Sequence, residues 1–226
     1  MKPKPRASLS DLHCDDPALV SGDHLVLVVD DDRSILTSLE HLLTGRGFRV
    51  RLHATAEDFF HVGLPEGPAC LLLDNQLGDG MTGVEVHAEL QRLGWDLPTV
   101  FVTGHWSTKS VVHAMRTGAD DFLTKPYDPE DLVAAVTKAM QRAITQRRDG
   151  LQVNAARARA ATLTKREIDI VRLLLAGSIN KEIADQLDIS VVTVKVHRGR
   201  AMRKLVAGNV AELVRIATLA GLVPAK

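Results

Sequence analysis

Three short runs constrain this chain most: Leu25–Val29, Cys70–Leu73 and Thr99–Val102 are apolar almost throughout. None alternates with polar residues. Each therefore reads as a strand buried on both faces, as in a parallel sheet covered by helices. Phe48–Leu52 and Asp121–Thr124 are two shorter strand candidates. Between the runs the apolar spacing is helical, over Ser34–Leu43, Ala56–His61, Val84–Leu93, Thr108–Arg116 and Pro129–Arg147. Gly45, Gly47, Gly94 and Gly118 fall where helices should stop. Asp32 and Asp128 precede helices as N-caps, and Pro129 suits a first helical position. Strands alternating with helices predict an α/β fold with a doubly wound, five-stranded parallel sheet. In such sheets the ligand site lies outside the carboxyl ends of the strands.

At 226 residues the chain is long enough for a second domain. From Leu163 onward every segment is helical in spacing: Lys165–Ala176, Asn180–Leu187, Val191–Leu205 and Val210–Ala220. The expected organisation is a flexible extension over 1–23, an α/β domain over 24–147, a linker over 148–160 that is helical or irregular, and a helical domain over 161–226. Asp149–Gly150 is the expected helix break. Charge divides in the same way. Residues 151–226 carry 13 Lys/Arg against 6 Asp/Glu, and residues 1–150 carry 15 against 22. A basic half suits a phosphate-backbone partner. No run of about 18 apolar residues suggests a membrane span. Met1–Arg6 is basic, but no apolar stretch follows it as in a signal peptide. Cys14 and Cys70 are isolated, without a metal-ligand cluster or a disulfide framework. Together these features point to a cytoplasmic protein.

The chemistry sits at the predicted strand ends. Asp30, Asp31 and Asp32 follow the first strand, Asp74 the third, Thr103 the fourth, and Lys125-Pro126 the fifth. The fold would gather these residues although they lie up to 95 positions apart. Clustered carboxylates repel unless neutralised. A hard divalent cation such as Mg²⁺ suits oxygen ligands and keeps waters for a phosphoryl substrate. A carboxylate is also a nucleophile that can form an acyl phosphate. A metal and a lysine would stabilise charge on the transferring oxygens. A hydroxyl at Thr103 hydrogen-bonding the new group would link chemistry to conformation.

Val28-Val29-Asp30-Asp31-Asp32, Leu73-Asp74, Val102-Thr103-Gly104 and Phe122-Leu123-Thr124-Lys125-Pro126 resemble the signature segments of bacterial receiver domains, over about residues 24–147. The resemblance implies a flavodoxin-like receiver. Asp74 would be the phosphoacceptor, and Thr103 the switch hydroxyl. Lys125 would pair with Asp74 or its phosphoryl group, and Phe122 would hold the aromatic switch position. Asp31, Asp74 and the backbone carbonyl of Gln76 would bind Mg²⁺, with Asp30 helping through water. One stretch departs from the family pattern. Asn75-Gln76-Leu77-Gly78-Asp79-Gly80-Met81-Thr82-Gly83 lacks the usual proline and looks one residue longer, which predicts a more mobile loop. Gln76 and His105 stand two residues beyond Asp74 and Thr103, where their side chains would flank a phosphoryl group.

In the basic half, Asn180–Leu187 is a short amphipathic helix and Asp188-Ile189-Ser190 a tight turn with Ser190 as N-cap. The next helix places Val191, Val194, Ala201 and Leu205 on one face. Val196, Gly199, Arg200 and Arg203 lie on another, with Lys195 and Lys204 beside them. This is a helix-turn-helix pattern, whose second helix enters the major groove. Leu163-Thr164 followed by Glu167 suits a capping box.

The segments Leu163-Thr164-Lys165-Arg166-Glu167, Asn180-Lys181-Glu182-Ile183-Ala184, Thr193-Val194-Lys195-Val196-His197-Arg198 and Met202-Arg203-Lys204-Leu205 resemble the LuxR-type helix-turn-helix. With the receiver they resemble the NarL/FixJ class of two-component response regulators, nearest the FixJ branch. That class implies phosphorylation by a sensor histidine kinase and homodimerisation through the face of Thr108–Arg116 and the fifth strand. It also implies binding to double-stranded promoter DNA, with RNA polymerase as a further partner. The DNA contacts it implies are Lys195 and Val196 to bases, and Thr193, Arg198, Arg200 and Lys204 elsewhere on the face, chiefly to phosphates. Val196 would touch a thymine methyl. The chain would then be a regulator, its only chemistry self-phosphorylation and slow self-dephosphorylation. Two alternatives stand beside this: a DNA-binding regulator whose receiver is a non-phosphorylated interaction module, and an aspartyl-phosphate hydrolase. The hydrolase usually has a second Asp two residues after its nucleophile, where this chain has Gln76.

Overall fold

The structure is a computed structural model that describes residues 24–78, 80–104 and 118–225. The expected helix over Thr108–Arg116, His105, Asp79 and the extension over 1–23 lie outside the described residues. The chain divides into two compact units between Arg147 and Arg148.

In the first unit five parallel strands, β1 (Leu25–Val29), β2 (Arg49–His53), β3 (Ala69–Leu73), β4 (Thr99–Thr103) and β5 (Asp121–Thr124), run in the order β2-β1-β3-β4-β5. Helices α1 (Arg33–Thr44), α2 (Ala56–Val62), α3 (Gly83–Arg92) and α4 (Pro129–Ala160) connect and cover them. Side chains alternate across a strand, so each apolar run feeds two cores. Val26, Val28, Cys70, Leu72, Val100 and Val102 pack against Leu36, Leu39 and Leu43 of α1 and Leu132, Val136 and Met140 of α4. Leu25, Leu27, Val29, Leu71, Leu73 and Phe101 pack on the other face against Phe59 of α2 and Val86 and Leu90 of α3. β1, β3 and β4 are buried at every residue, whereas the edge strands β2 and β5 are partly exposed. That exposure explains why the edge strands were less apolar in sequence.

Local signals placed the helix starts. Asp32 caps α1 by accepting from the Ser34 N–H at 2.8 Å. Asp128 accepts from Glu130 N–H at 2.8 Å ahead of Pro129. The expected break at Asp149–Gly150 is absent, because α4 continues for 32 residues to Ala160. A helical glycine costs only about 0.5–1 kcal/mol, and Gln152, Ala155, Ala156 and Arg157 beyond it are good helix formers. Residues 148–160 are thus helix, and Ala156 is buried in the core of the second unit.

The second unit adds α5 (Lys165–Leu175), α6 (Asn180–Leu187), α7 (Val191–Leu205) and α8 (Val210–Leu219). Thr164 and Glu167 form the expected capping box at α5, and Ser190 caps α7 through the Thr193 N–H at 3.0 Å. Two apolar clusters hold the unit, one around Val171, Ala201, Leu205 and Leu213, the other around Ile170, Ile183, Ala184 and Val194. Val191, expected on the buried face of α7, is exposed. It is the first residue of the helix, so its side chain tilts past the helix start with no preceding turn beneath it.

Candidate functional site

The parallel register carries the chemistry to one edge of the sheet. Beyond β1 the Asp30 N–H donates to the His53 carbonyl at 3.2 Å, and the Asp74 N–H donates to the Val29 carbonyl at 2.9 Å. On the other side the Lys125 N–H donates to the Thr103 carbonyl at 2.9 Å. The ladder thus holds Asp30, Asp74, Thr103 and Lys125 at adjacent strand ends.

Lys125 Nζ lies 2.7 Å from both Asp30 Oδ2 and Asp74 Oδ2. Asp30, Asp74 and Thr103 are buried and Asp31 is exposed. Carboxylate oxygens of Asp30, Asp31 and Asp74 lie within 4.8 Å of one another. Asp30 Oδ1 accepts from the Asp32 N–H at 3.0 Å, and Asp74 Oδ1 from the Gln76 N–H at 3.2 Å. Burial raises the Asp30 carboxyl above its ordinary range, although Lys125 and the Asp32 N–H pull it down. Burial also pulls Lys125 down, but its hydrogen bonds to Asp30 and Asp74 more than compensate, so the ammonium is held above its usual value. Asp32 faces away to cap α1 and stands outside the carboxylate cluster.

Three carboxylates against one ammonium leave an excess of negative charge. An exposed carboxylate beside two buried ones is an oxygen donor set that fits Mg²⁺. Phe122 is half-buried and packs against the cluster containing Phe101 and Leu73. Gln76 is exposed beside Asp74.

The long loop is anchored at both ends of its described part. Leu77 is buried in the α2–α3 core, and the Gly83 N–H donates to the Asn75 carbonyl at 3.0 Å. A Cβ on Gly83 would stand 2.3 Å from the Asp74 carbonyl oxygen. Sequence reading missed Gly83, because nothing local marks the first residue of a helix as touching a strand end.

The expected residues of α7 divide into two groups. Lys195, Val196 and Arg200 are exposed. Thr193 is half-buried, its hydroxyl 2.8 Å from Ser190 Oγ in the cap. Arg198 is half-buried and donates to Asn180 Oδ1 at 3.2 Å, tying α7 to the start of α6. Lys204, expected as a phosphate contact, is also bonded within its own domain. Its Nζ donates to Glu167 Oε2 at 2.7 Å and to the Thr162 carbonyl at 3.0 Å. Glu167 is buried, and an unpaired buried carboxylate is costly, so Lys204 has a structural role in its own domain. In the same way Glu167 acts beyond the capping box that the sequence suggested.

Residues 26–137 match the response regulator receiver domain family, and residues 161–217 match the luxR family of bacterial regulatory proteins. The chain is 36% identical over 194 residues to response regulator protein TmoT of Ectopseudomonas mendocina, covering 86% of this chain and 88% of that protein. It is 38% identical over 200 residues to transcriptional regulatory protein FixJ of Azorhizobium caulinodans, covering 88% and 94%. Among solved structures, the response regulator StyR matches with a TM-score of 0.77 at 35% identity, covering 87% of this chain and 99% of that one.

Proposed function

Since the chain belongs to the response-regulator family, as a transcriptional regulator joining a receiver to a LuxR-type DNA-binding domain, we propose that phosphorylation of Asp74 controls its binding to promoter DNA. The observation that carries this reading is the Lys125 bridge to Asp30 and Asp74 at the carboxyl edge of the sheet. An oxygen of the Asp74 carboxylate attacks the phosphorus of a phosphohistidine on a sensor kinase. The P–O bond forms as the P–N bond breaks, and the released imidazole takes up a proton. Lys125 keeps its positive charge throughout and moves from carboxylate to phosphoryl oxygen. Asp30, Asp31, Asp74 and the Gln76 carbonyl are the residues that would hold Mg²⁺, which when bound offsets charge on the phosphoryl oxygens.

Thr103, at the end of β4, donates its hydroxyl to the new phosphoryl group, and Phe122 on β5 repacks in response. The altered surface promotes a homodimer, and two DNA-binding domains engage two half-sites. Lys195, Val196, Arg200 and Thr193 face the duplex. Such a regulator acts in the cytoplasm, with RNA polymerase within reach. No helix among the described residues is long and apolar enough to cross a membrane. Receiver and DNA-binding domains together make this a regulator rather than a metabolic enzyme.

The test is the intact mass and oligomeric state of wild type and Asp74→Asn after acetyl phosphate with Mg²⁺, repeated with a cognate kinase. Gain of one phosphoryl group and a shift towards dimer in wild type alone is expected. Wild type unmodified by either donor would favour a receiver that acts as a non-phosphorylated interaction module.

A further inference from the structure

Of the three exposed valines of helix α7, Val192 and Val196 are the most exposed. Val194, Ala201 and Leu205 fill the core, whereas Val192 is 70% and Val196 47% exposed. Neither belongs to an apolar cluster of the unit. Valine is a weaker helix former than lysine, glutamate or alanine, so a solvated helix position gains nothing from it. The two lie four residues apart, on one side of the helix. Lys195 and Arg200 share that exposed surface.

We propose that Val192, together with Val196, reads thymine 5-methyl groups, which makes Val192 a specificity-determining residue of the DNA face. The proposal rests on the reading of α7 as the helix that enters the major groove. A surface with cations around apolar points fits an anionic partner that itself presents apolar points. In the major groove thymine alone offers a methyl. Val192 is the second residue of α7, and recognition helices meet base edges through their N-terminal residues. Four residues advance the helix about 6 Å, and base pairs are spaced by about 3.4 Å. The two valines therefore reach positions roughly two base steps apart. Gly199, a turn beyond Val196, would have nothing within 4 Å of an added Cβ, so the helix presents open ground there. Arg198 and Lys204 are held by Asn180 and Glu167, which leaves discrimination to few side chains.

The experiment begins with in-vitro selection from random duplexes, using the full chain treated with acetyl phosphate and Mg²⁺. Each thymine of the selected site is then replaced by uracil, which lacks only the methyl, and affinity is read by fluorescence anisotropy. For wild type, uracil at two thymines about two steps apart in each half-site weakens binding about fourfold, the value of one methyl removed from water. Val192→Ser abolishes the penalty at one position and Val196→Ser at the other, with melting temperatures unchanged. The proposal fails if no uracil replacement affects wild type, or if Val192→Ser keeps every penalty. If no duplex is bound or enriched, the DNA-binding reading fails and takes this proposal with it.

Discussion

Gly83 stands against the main chain of Asp74: a Cβ on Gly83 would lie 2.3 Å from the Asp74 carbonyl oxygen and 2.9 Å from the Asn75 Cα. The first residue of α3 thereby braces the peptide that carries the proposed phosphoacceptor. A helical Gly→Ala change ordinarily stabilises by about 0.5–1 kcal/mol. Here backbone must shift, so Gly83→Ala is expected to destabilise the receiver by about 1–3 kcal/mol and to slow phosphorylation from acetyl phosphate. Urea unfolding of the full chain reads the first effect. A raised midpoint would refute the contact.

Lys204 separates a structural role from a DNA contact. Replacing it with Met leaves the buried Glu167 carboxylate without its cation, at an expected cost of about 1–3 kcal/mol in the second unit. The double variant Lys204→Met, Glu167→Gln should recover much of that loss. Unchanged melting with weakened duplex binding would instead restore Lys204 as a phosphate contact.

Glu167 also predicts an acid limb. Burial raises its carboxyl, but hydrogen bonds from Lys204 and from the Thr164 backbone and hydroxyl outweigh it, so the folded-state value lies below the usual glutamate range. A depressed carboxyl contributes stability that is complete above its unfolded value and is lost as pH falls through the folded one. The second unit should therefore weaken progressively on acidification below the ordinary glutamate range. Glu167→Gln should flatten that dependence in thermal melts run across the acid limb. An identical slope in the variant would place the titration elsewhere.

Val206 ends α7 in the left-handed region at φ 58° and is 63% exposed. A β-branched side chain pays about 1–2 kcal/mol there, and packing returns little. Val206→Gly is expected to stabilise the DNA-binding domain by about 1 kcal/mol, read as a higher melting temperature. A lower one would show that the side chain has a partner the geometry does not reveal.

Gln76 is exposed beside Asp74, where its amide would shield the acyl phosphate or orient attacking water. Gln76→Ala should change the decay rate of the phosphorylated protein roughly two- to tenfold, the worth of one hydrogen bond. His105→Ala tests the equivalent position after β4. Decay at the wild-type rate in both variants would remove these side chains from control of lifetime.

Much of the site was legible in the sequence because it is written at strand ends. A strand buried on both faces must be apolar along its length, so the residue that stops the run marks the edge of the sheet. Asp30 and Asp74 stop two such runs, and Lys125 follows the partly exposed edge strand β5. Helix starts were equally legible, since Asp32, Thr164 and Ser190 satisfy N–H groups two or three residues away.

By itself the sequence determined the five-strand sheet, with Asp30, Asp31 and Asp74 at its strand ends, and the helix caps, because each depends on burial period or on neighbours a few residues away. Only the tertiary structure decided the continuation of α4 through Gly150, where cooperative helix formation outweighs one glycine. It alone decided that Lys204 serves Glu167 across 37 residues, that Gly83 must lack a side chain, and that Val192 is left uncovered. The last three depend on which surfaces meet, and meeting is fixed by packing between elements distant in the chain rather than by any local pattern.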